Sequence, residues 1–551
     1  MKLKGSQIIM ECLKEQGVEI IFGYPGGQIM PLYDALYDYL DDIQHVLTSH
    51  EQGATHAADG YARSTGRVGV CFATSGPGAT NTVTGIATAY MDSVPMIVIT
   101  GQVPLALIGK DAFQEVDITG ITIPITKHNF FISRVEDIAP SIRQAFKITM
   151  SGRPGPVLID VPKNLMLELC DYIPEGPVIK EPNKAVAVED FSTIADYINK
   201  AKMPVIYSGG GIILSDASRE LTELAEKGDI PVISTLMGLG SFSRKNPLSL
   251  GLVGMHGEKE SNLAIHNSDL VIAIGARFSD RVTGDVSRFA KEANIIHIDI
   301  DESEIGKNVR VHKFLVGDIK DILNKLIPLI EKKDRTEWLT RIRSWKKDKN
   351  ENQTDFSPDN IFKVLYKSLG DDVLVVTEVG QHQMWTAQKW PFTKPRTFIT
   401  SGGLGTMGFG LGAAIGTQMA NPDKRVLHIA GDGCFRMNCN ELITVAAQKL
   451  PIITVVLKND TLGMVRQWQK LFFSRRYSAT DLPDVVDYVK LAEAMGLSGY
   501  FVKNLDDLET ALVSAKNNAT GTVIICDIHI DENVFPIVPP GEALNNQVSA
   551  E

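Results

Sequence analysis

One unit recurs along this chain and limits what it can fold into: an apolar, β-rich run, a glycine-bearing loop, an alanine-rich helical run, then a second apolar run. Residues 68–101 carry it as VGVCFAT, SGPGATN, TVTGIATAYM and PMIVITG; residues 425–459 carry it as RVLHIA, GDGCF, NELITVAAQKL and PIITVVLKN. Strands that are apolar throughout, without polar alternation, belong to parallel sheets covered by helices on both faces. The expected class is α/β with doubly wound parallel sheets. The two copies, near the two ends, point to related domains there.

A third block between them, with the runs MPVIYSGGG, DLVIAIGARF and NIIHIDID, reads the same way. Two stretches break the pattern. PEGPVIKEPNKAVAVED (174–190) is rich in Pro, Glu and Lys, and residues 331–360 are strongly charged and end in turn formers, so both read as linkers. A chain of 551 residues is too long for one core. The expected domains are 1–175, 190–340 and 358–535, followed by a C-terminal tail over 536–551.

The net charge of −11, with no basic block, argues against nucleic-acid binding. The N-terminal run MKLKGSQIIMECLKEQG goes straight into an amphipathic helical pattern without a signal core or transit segment. No window has the apolar length of a membrane span. A soluble, cytoplasmic protein is expected. The six cysteines lack metal-ligand or disulfide spacing and read as buried thiols.

The stretch GDGCF (431–435) sets an acid between two glycines at a strand-to-helix corner. Such an acid either holds a cation or caps a helix. A parallel β-α-β unit brings the carboxyl ends of its two strands side by side, so Asp432 and Asn459 meet at one sheet edge, where open α/β sheets bind ligands. A carboxylate, an amide oxygen and a main-chain carbonyl suit Mg²⁺, which commonly bridges protein and phosphates. Gly431, Gly433 and the adjacent helix start offer N–H groups to the same phosphates.

GDG followed by an Asn-bearing strand end resembles the magnesium-diphosphate motif of thiamine diphosphate enzymes. In order, FGYPGG (22–27), HEQGATHAADGYAR (50–63), SGPGATN (75–81), DAFQE (111–115), SGRPGPV (151–157), MHG (255–257), RFSDRVTG (277–284), QHQMW (381–385), TSGGLGTMG (400–408) and LGMVRQWQ (462–469) narrow the resemblance. Together they resemble the catalytic large subunits of the acetohydroxyacid synthase, or acetolactate synthase, family, over nearly the whole chain. The resemblance implies three domains: an N-terminal pyrimidine-binding domain, a central FAD-binding domain and a C-terminal pyrophosphate domain. It also implies decarboxylation of pyruvate and ligation of the hydroxyethyl carbanion to a second 2-oxoacid. Pyruvate as acceptor gives 2-acetolactate and 2-oxobutyrate gives 2-aceto-2-hydroxybutyrate, both in branched-chain amino acid biosynthesis.

Carried over residue by residue, the resemblance makes Asp432, Asn459 and the Thr461 carbonyl the Mg²⁺ ligands. Gln381, His382, Gly431, Gly433 and Cys434 become diphosphate contacts, with Cys434 where the family commonly has Ser or Ala. Met407 becomes the prop that bends thiamine diphosphate, and Met464 a further cofactor contact. Glu51 becomes the acid at the aminopyrimidine ring, and Ser49-His50-Glu51-Gln52 reads as a capping box with Ser49 as N-cap, putting Glu51 in a helix's first turn. Gly27, Phe113, Gln114 and Lys163 lie near the reacting ketoacid, Arg281 binds the second ketoacid's carboxylate, and Trp468 walls the acceptor pocket. Glu51 and Asp432 come from different subunits in the family, so a homodimer or homotetramer is expected, with a small regulatory subunit as a further partner. Segment 461–480 and the tail FPIVPPGEALNNQV are lid candidates.

For FAD, the resemblance names Arg153, Gly209, Gly210, Gly211, Thr235, Leu236, Met237, Met255, His256, Gly275, Arg277, Asp299 and Asp318. The family's RFDDRVTG is RFSDRVTG here, with Ser279 departing. The main alternative is a catabolic, FAD-independent acetolactate synthase. A flavin oxidase or simple decarboxylase on the same fold, and a catalytically silent binding subunit, are the other readings.

Overall fold

The computed structural model describes residues 1–179, 189–346 and 355–549, so the middle of each expected linker (180–188 and 347–354) lies outside the described residues. Three six-stranded sheets follow one another along the chain, and every pairing within them is parallel. Each expected apolar run is a strand with a buried interior, among them Gly69–Ala73, Met96–Gln102, Leu270–Ile274 and Ile453–Lys458. Helices cover both faces, so the chain has a three-domain α/β fold. The N-terminal helix, Gly5–Glu15, begins only after a short strand, Lys2–Lys4, which pairs antiparallel with Leu169–Asp171.

Strand order decides where ligands can sit. The first sheet runs Gln44–Leu47, Ile20–Gly23, Gly69–Ala73, Met96–Gln102, Pro156–Pro162, His128–Phe131. The third runs Phe398–Ile399, Val373–Thr377, Arg425–Gly431, Ile453–Lys458, Thr522–Asp527, Ser498–Val502. Numbered along the chain within each sheet, both follow one order. The chain steps outward once, then returns to the other side of its first strand. That reversal leaves a crevice at the carboxyl ends between the first and third strands, the usual ligand position in such sheets. The central sheet follows a different order, with its reversal between Pro204–Ser208 and Leu270–Ile274. The likeness of the two end domains, legible only as a repeated unit in sequence, is thus a likeness of topology, and the middle domain does not share it.

The first and third sheets are joined by two helices packed backbone on backbone, Glu51–Thr65 and Gly410–Ala420. Ala54, Ala57, Ala58 and Tyr61 from one and Ala413, Ala414 and Ile415 from the other share a single core. Glycine makes the approach possible: a Cβ on Gly60 would lie 2.1 Å from the Ala413 carbonyl oxygen, and one on Gly416 would lie 1.8 Å from that of Ala57. The tail is fastened to the central domain. Val538 N–H donates to Met255 O at 2.8 Å and Asp285 N–H donates to Glu542 O at 3.1 Å, and just before the tail begins Gln467 exchanges two hydrogen bonds with the Val534 main chain.

Candidate active site

The carboxyl edge of the first sheet gathers the expected substrate-side residues from successive strands. Gly27 follows Ile20–Gly23, Glu51 follows Gln44–Leu47, Phe113 and Gln114 lie in the loop after Met96–Gln102, and Lys163 directly follows Pro156–Pro162. Glu51 is 9% exposed, and its Oε2 accepts a hydrogen bond from Asn81 Nδ2 at 2.9 Å. The run SGPGATN, expected as a loop, forms the short helix Pro77–Asn81, and Gly78 on it leaves room beside the carboxylate, since a Cβ there would lie 3.2 Å from Glu51 Oε1. Gly76, the N-cap of that helix, has φ +59° and its Cβ position is 2.8 Å from Gln114 O, so the helix start also seats Gln114. Phe113 is 83% exposed and Lys163 half-buried.

The expected capping box is not formed. The N-cap of Glu51–Thr65 is His50, whose Nδ1 accepts from Gln52 N–H at 3.1 Å. Ser49 is drawn away by the third domain: its hydroxyl donates to Asn440 O at 3.1 Å and its N–H to the Glu441 carboxylate at 3.1 Å. Glu51 is nevertheless the first residue of the helix.

At the carboxyl edge of the third sheet, Asp432 opens the helix Asp432–Asn438 directly after its strand and is 1% exposed. Its Oδ2 accepts from Asp460 N–H at 2.9 Å, closing the corner against the end of the adjacent strand, Ile453–Lys458. Asn459 is buried beside it and donates through Nδ2 to Gln381 Oε1 at 3.3 Å. Gly463 makes that pairing possible, because a Cβ there would lie 2.0 Å from Gln381 Oε1. Thr461 is buried, with its hydroxyl donating to Thr480 O at 3.0 Å. Cys434 is a buried free thiol that donates to Val379 O at 2.9 Å, and burial pushes its pKa well up. Met407 comes near Gly433, 3.9 Å from where a Cβ would stand.

The electrostatics of this corner fit an anion held through a divalent cation. Burial, with Asp460 as the second cause, pushes Asp432 up to about 6, against the main-chain hydrogen bonds from Asp460 and Gly433 and the charge of Arg436. His382, packed against Gly431, is buried and has no partner at Nε2. Burial drops its pKa to about 3, so the ring is neutral at physiological pH. Orphaned buried nitrogens of this kind call for a ligand or water. Among the described residues no three His, Cys, Asp or Glu side chains form a metal cage. The donor set is instead one carboxylate, one amide and main chain, which suits Mg²⁺ shared with a phosphate.

The central domain borders a cavity of about 800 Å³, and every residue of the expected flavin set lines it. At the strand reversal the two loops touch through glycine: a Cβ on Gly209 would meet Gly275 O at 2.0 Å, and Gly275 has φ +59°. Asp299 is buried, with its pKa pushed up to about 6 by burial, and His256 is buried with no partner at Nδ1. Arg281, Met464 and Trp468 line the same cavity, and the Arg281 guanidinium lies 5.9 Å from the Trp468 ring centre. Ser279, the departure from the family pattern, caps the short helix Asp280–Thr283 by accepting from Arg281 N–H, a role Asp fills equally well.

Three contributors escaped the sequence reading. Glu378, 1% exposed, accepts Gly408 N–H at 2.8 Å and Leu411 N–H at 3.3 Å, gripping the turn that carries Met407. Asp92 accepts Gly402 and Gly403 N–H at 2.9 and 2.7 Å and pairs with Arg63 at 3.0 Å, tying the TSGG loop to the first domain. Gly463, which stands in the run LGMVRQWQ with no role assigned to it there, is the third. Each answers a partner remote in sequence, so no local spacing gives its role.

Family models of thiamine pyrophosphate enzymes match the chain in three parts: the N-terminal TPP binding domain over residues 3–121, the central domain over 191–326 and the C-terminal TPP binding domain over 378–526. Among curated relatives, a probable acetolactate synthase large subunit of Methanocaldococcus jannaschii is 47% identical, covering 99% of this chain and 95% of its own. The acetolactate synthase isozyme 2 large subunit of Escherichia coli is 45% identical over 98% of each chain. The acetolactate synthase large subunit IlvB1 of Mycobacterium tuberculosis is 45% identical over 100% of this chain and 92% of its own.

Proposed function

The chain belongs to the thiamine pyrophosphate enzyme family, among the acetolactate synthase large subunits, and on that premise we propose how its residues divide the work of an acetolactate synthase. Asp432, Asn459 and the Thr461 carbonyl hold Mg²⁺. Gln381, His382 and the N–H groups of Gly431, Gly433 and Cys434 hold the diphosphate. Met407 and Met464 pack against the cofactor. When bound, thiamine diphosphate supplies the carbon centre that takes up a 2-oxoacid and carries negative charge after carbon dioxide leaves. Glu51 holds and moves a proton at the cofactor's aminopyrimidine ring. Gly27, Phe113, Gln114 and Lys163 border the first 2-oxoacid. Arg281 takes the carboxylate of the second, a task suited to a bidentate guanidinium.

The observation that carries carboligation over simple decarboxylation is the Arg281–Trp468 pair in the cavity wall beside Met464. A decarboxylase has no need of a second carboxylate site. FAD occupies the central cavity in this reading. Carboligation of two 2-oxoacids moves no electrons to an acceptor, so the flavin serves as a structural filling of that cavity. The domains divide the work as 1–175 pyrimidine-binding, 190–340 FAD-binding and 358–535 pyrophosphate-binding, with 536–551 as tail.

Glu51 and Asp432 have separate partners on separate sheet edges, Asn81 for one and Asp460 for the other. The family resemblance puts Glu51 and Asp432 on different subunits, and on that ground we assign the complete site to a homodimer, or a homotetramer built from it, in which each cofactor lies between two copies. The relatives' names as large subunits support a small regulatory partner. No helix among the described residues is long and apolar enough to cross a membrane, and the cytoplasm is the proposed compartment.

The test is a competition assay with thiamine diphosphate, Mg²⁺, pyruvate and 2-oxobutyrate, with and without FAD, quantifying both acetohydroxyacids. Predominant 2-aceto-2-hydroxybutyrate, lost without FAD, is expected. Acetolactate alone, indifferent to FAD, would assign the protein to the catabolic branch. Trp468→Leu should erode the preference for 2-oxobutyrate over pyruvate, because one methylene against an apolar wall is worth about 1–3 kcal/mol, or roughly 10–200-fold in selectivity. An unchanged product ratio in that variant would remove Trp468 from the acceptor pocket.

A further inference from the structure

Glu441 ends the 3-10 turn Cys439–Glu441, which continues the helix begun at Asp432. Its side chain is fully buried, and its carboxylate reaches the first domain. Ser49 N–H donates to both carboxylate oxygens at 3.1 Å, His50 N–H donates to Oε1 at 3.1 Å, and the Thr444 hydroxyl donates to Oε2 at 2.7 Å. Gly53 faces the same carboxylate, and a Cβ there would lie 2.1 Å from Oε1. Burial raises the Glu441 pKa, opposed by the hydrogen bonds from Thr444, Ser49 and His50. The positive end of a helix dipole lies beside it, which further favours the anion.

The first N–H groups of a helix have no partner within it, so the direction of its opening residue is set by acceptors from outside. Here those acceptors are Glu441 for residues 49 and 50 and the His50 ring for Gln52. We propose that Glu441 is a positioning residue for Glu51: by gripping the Ser49–His50 main chain it fixes the first turn of Glu51–Thr65 and with it the Glu51 carboxylate. The inference rests on the reading of Glu51 as the acid at the cofactor. Glu51 itself is held by Asn81 on one side only, so its main-chain seat supplies the rest of its orientation.

The test uses the full-length protein with Glu441→Gln, which keeps the shape but loses one acceptor and the charge, and Glu441→Ala. A misplacement of about 1 Å costs up to roughly 10²-fold, so kcat should fall about 10- to 100-fold in Glu441→Gln. Affinity for thiamine diphosphate, followed by tryptophan fluorescence, should hold, since the diphosphate is gripped elsewhere. In cofactor-free protein, amide exchange at Ser49 and His50 should accelerate, with residues 410–420 unchanged. The double variant Glu51→Gln/Glu441→Gln should be no slower than Glu51→Gln alone, the non-additivity of residues acting as one unit. Multiplying losses in the double variant, or wild-type kcat in Glu441→Gln, overturn the proposal. A slow Glu51→Gln beside a fully active Glu441→Gln overturns this inference alone. A Glu51→Gln enzyme at full rate overturns the reading of Glu51 and this inference with it.

Discussion

The Glu51→Gln enzyme is expected to turn over about 10²–10⁴-fold more slowly than wild type, the usual contribution of one positioned proton-transferring group. Glutamine has the same shape and keeps an oxygen that can accept the Asn81 Nδ2–H bond, so the helix start and the fold should survive. Thiamine diphosphate should bind as before, because Asp432, Asn459, Gln381 and His382 lie on the other sheet edge. The loss should therefore fall on kcat, with cofactor affinity and melting temperature unchanged. Steady-state kinetics at saturating cofactor, beside a thermal melt, separate these quantities. Turnover at the wild-type rate would remove Glu51 from the mechanism.

The strands were readable because a fully buried parallel strand has little freedom in composition: RVLHIA and PIITVVLKN announce themselves. The Asp432–Asn459 corner was readable for the same reason, since the topology of one β-α-β unit brings both strand ends together. The residues that the motif resemblance names for FAD line one cavity, most of them from the carboxyl edge of the central sheet and Arg153 from the first domain. Strand order could not be read, because nothing in VGVCFAT says which run lies beside it. The Ser49 cap does not form for a physical reason: the Ser49 hydroxyl donates to Asn440 O, 391 residues away, and the Glu441 carboxylate holds its N–H, so the His50 ring accepts Gln52 N–H in its place. Glu378 and Asp92 went unseen because a buried carboxylate that accepts main-chain N–H groups has no sequence spacing of its own. The glycines of GATHAADG and GLGAAIG stand inside helical runs, and nothing in their spacing names the backbone that each one faces.

Those glycines carry the second large effect. Gly416→Ala should destabilise the protein, against helix propensity, which favours alanine over glycine by about 1 kcal/mol in a helix interior. The opposing term is steric: the new methyl would stand 1.8 Å from the Ala57 carbonyl oxygen, a main-chain atom that no rotamer change can move aside. Overpacking of this kind costs about 1–3 kcal/mol and sometimes more, so the clash wins and the net sign is a loss. Gly416→Val should lose more, and Gly60→Ala should behave like Gly416→Ala from the opposite helix, where its methyl would stand 2.1 Å from Ala413 O. The damage should reach function, because the helix that is pushed away begins at Glu51, and the helix doing the pushing begins just past Met407. Denaturant unfolding of the three variants, with cofactor-saturated kcat in parallel, gives both readouts. A Gly416→Ala protein as stable as wild type or more so would mean that propensity decides this contact and that the two domains are not joined backbone to backbone.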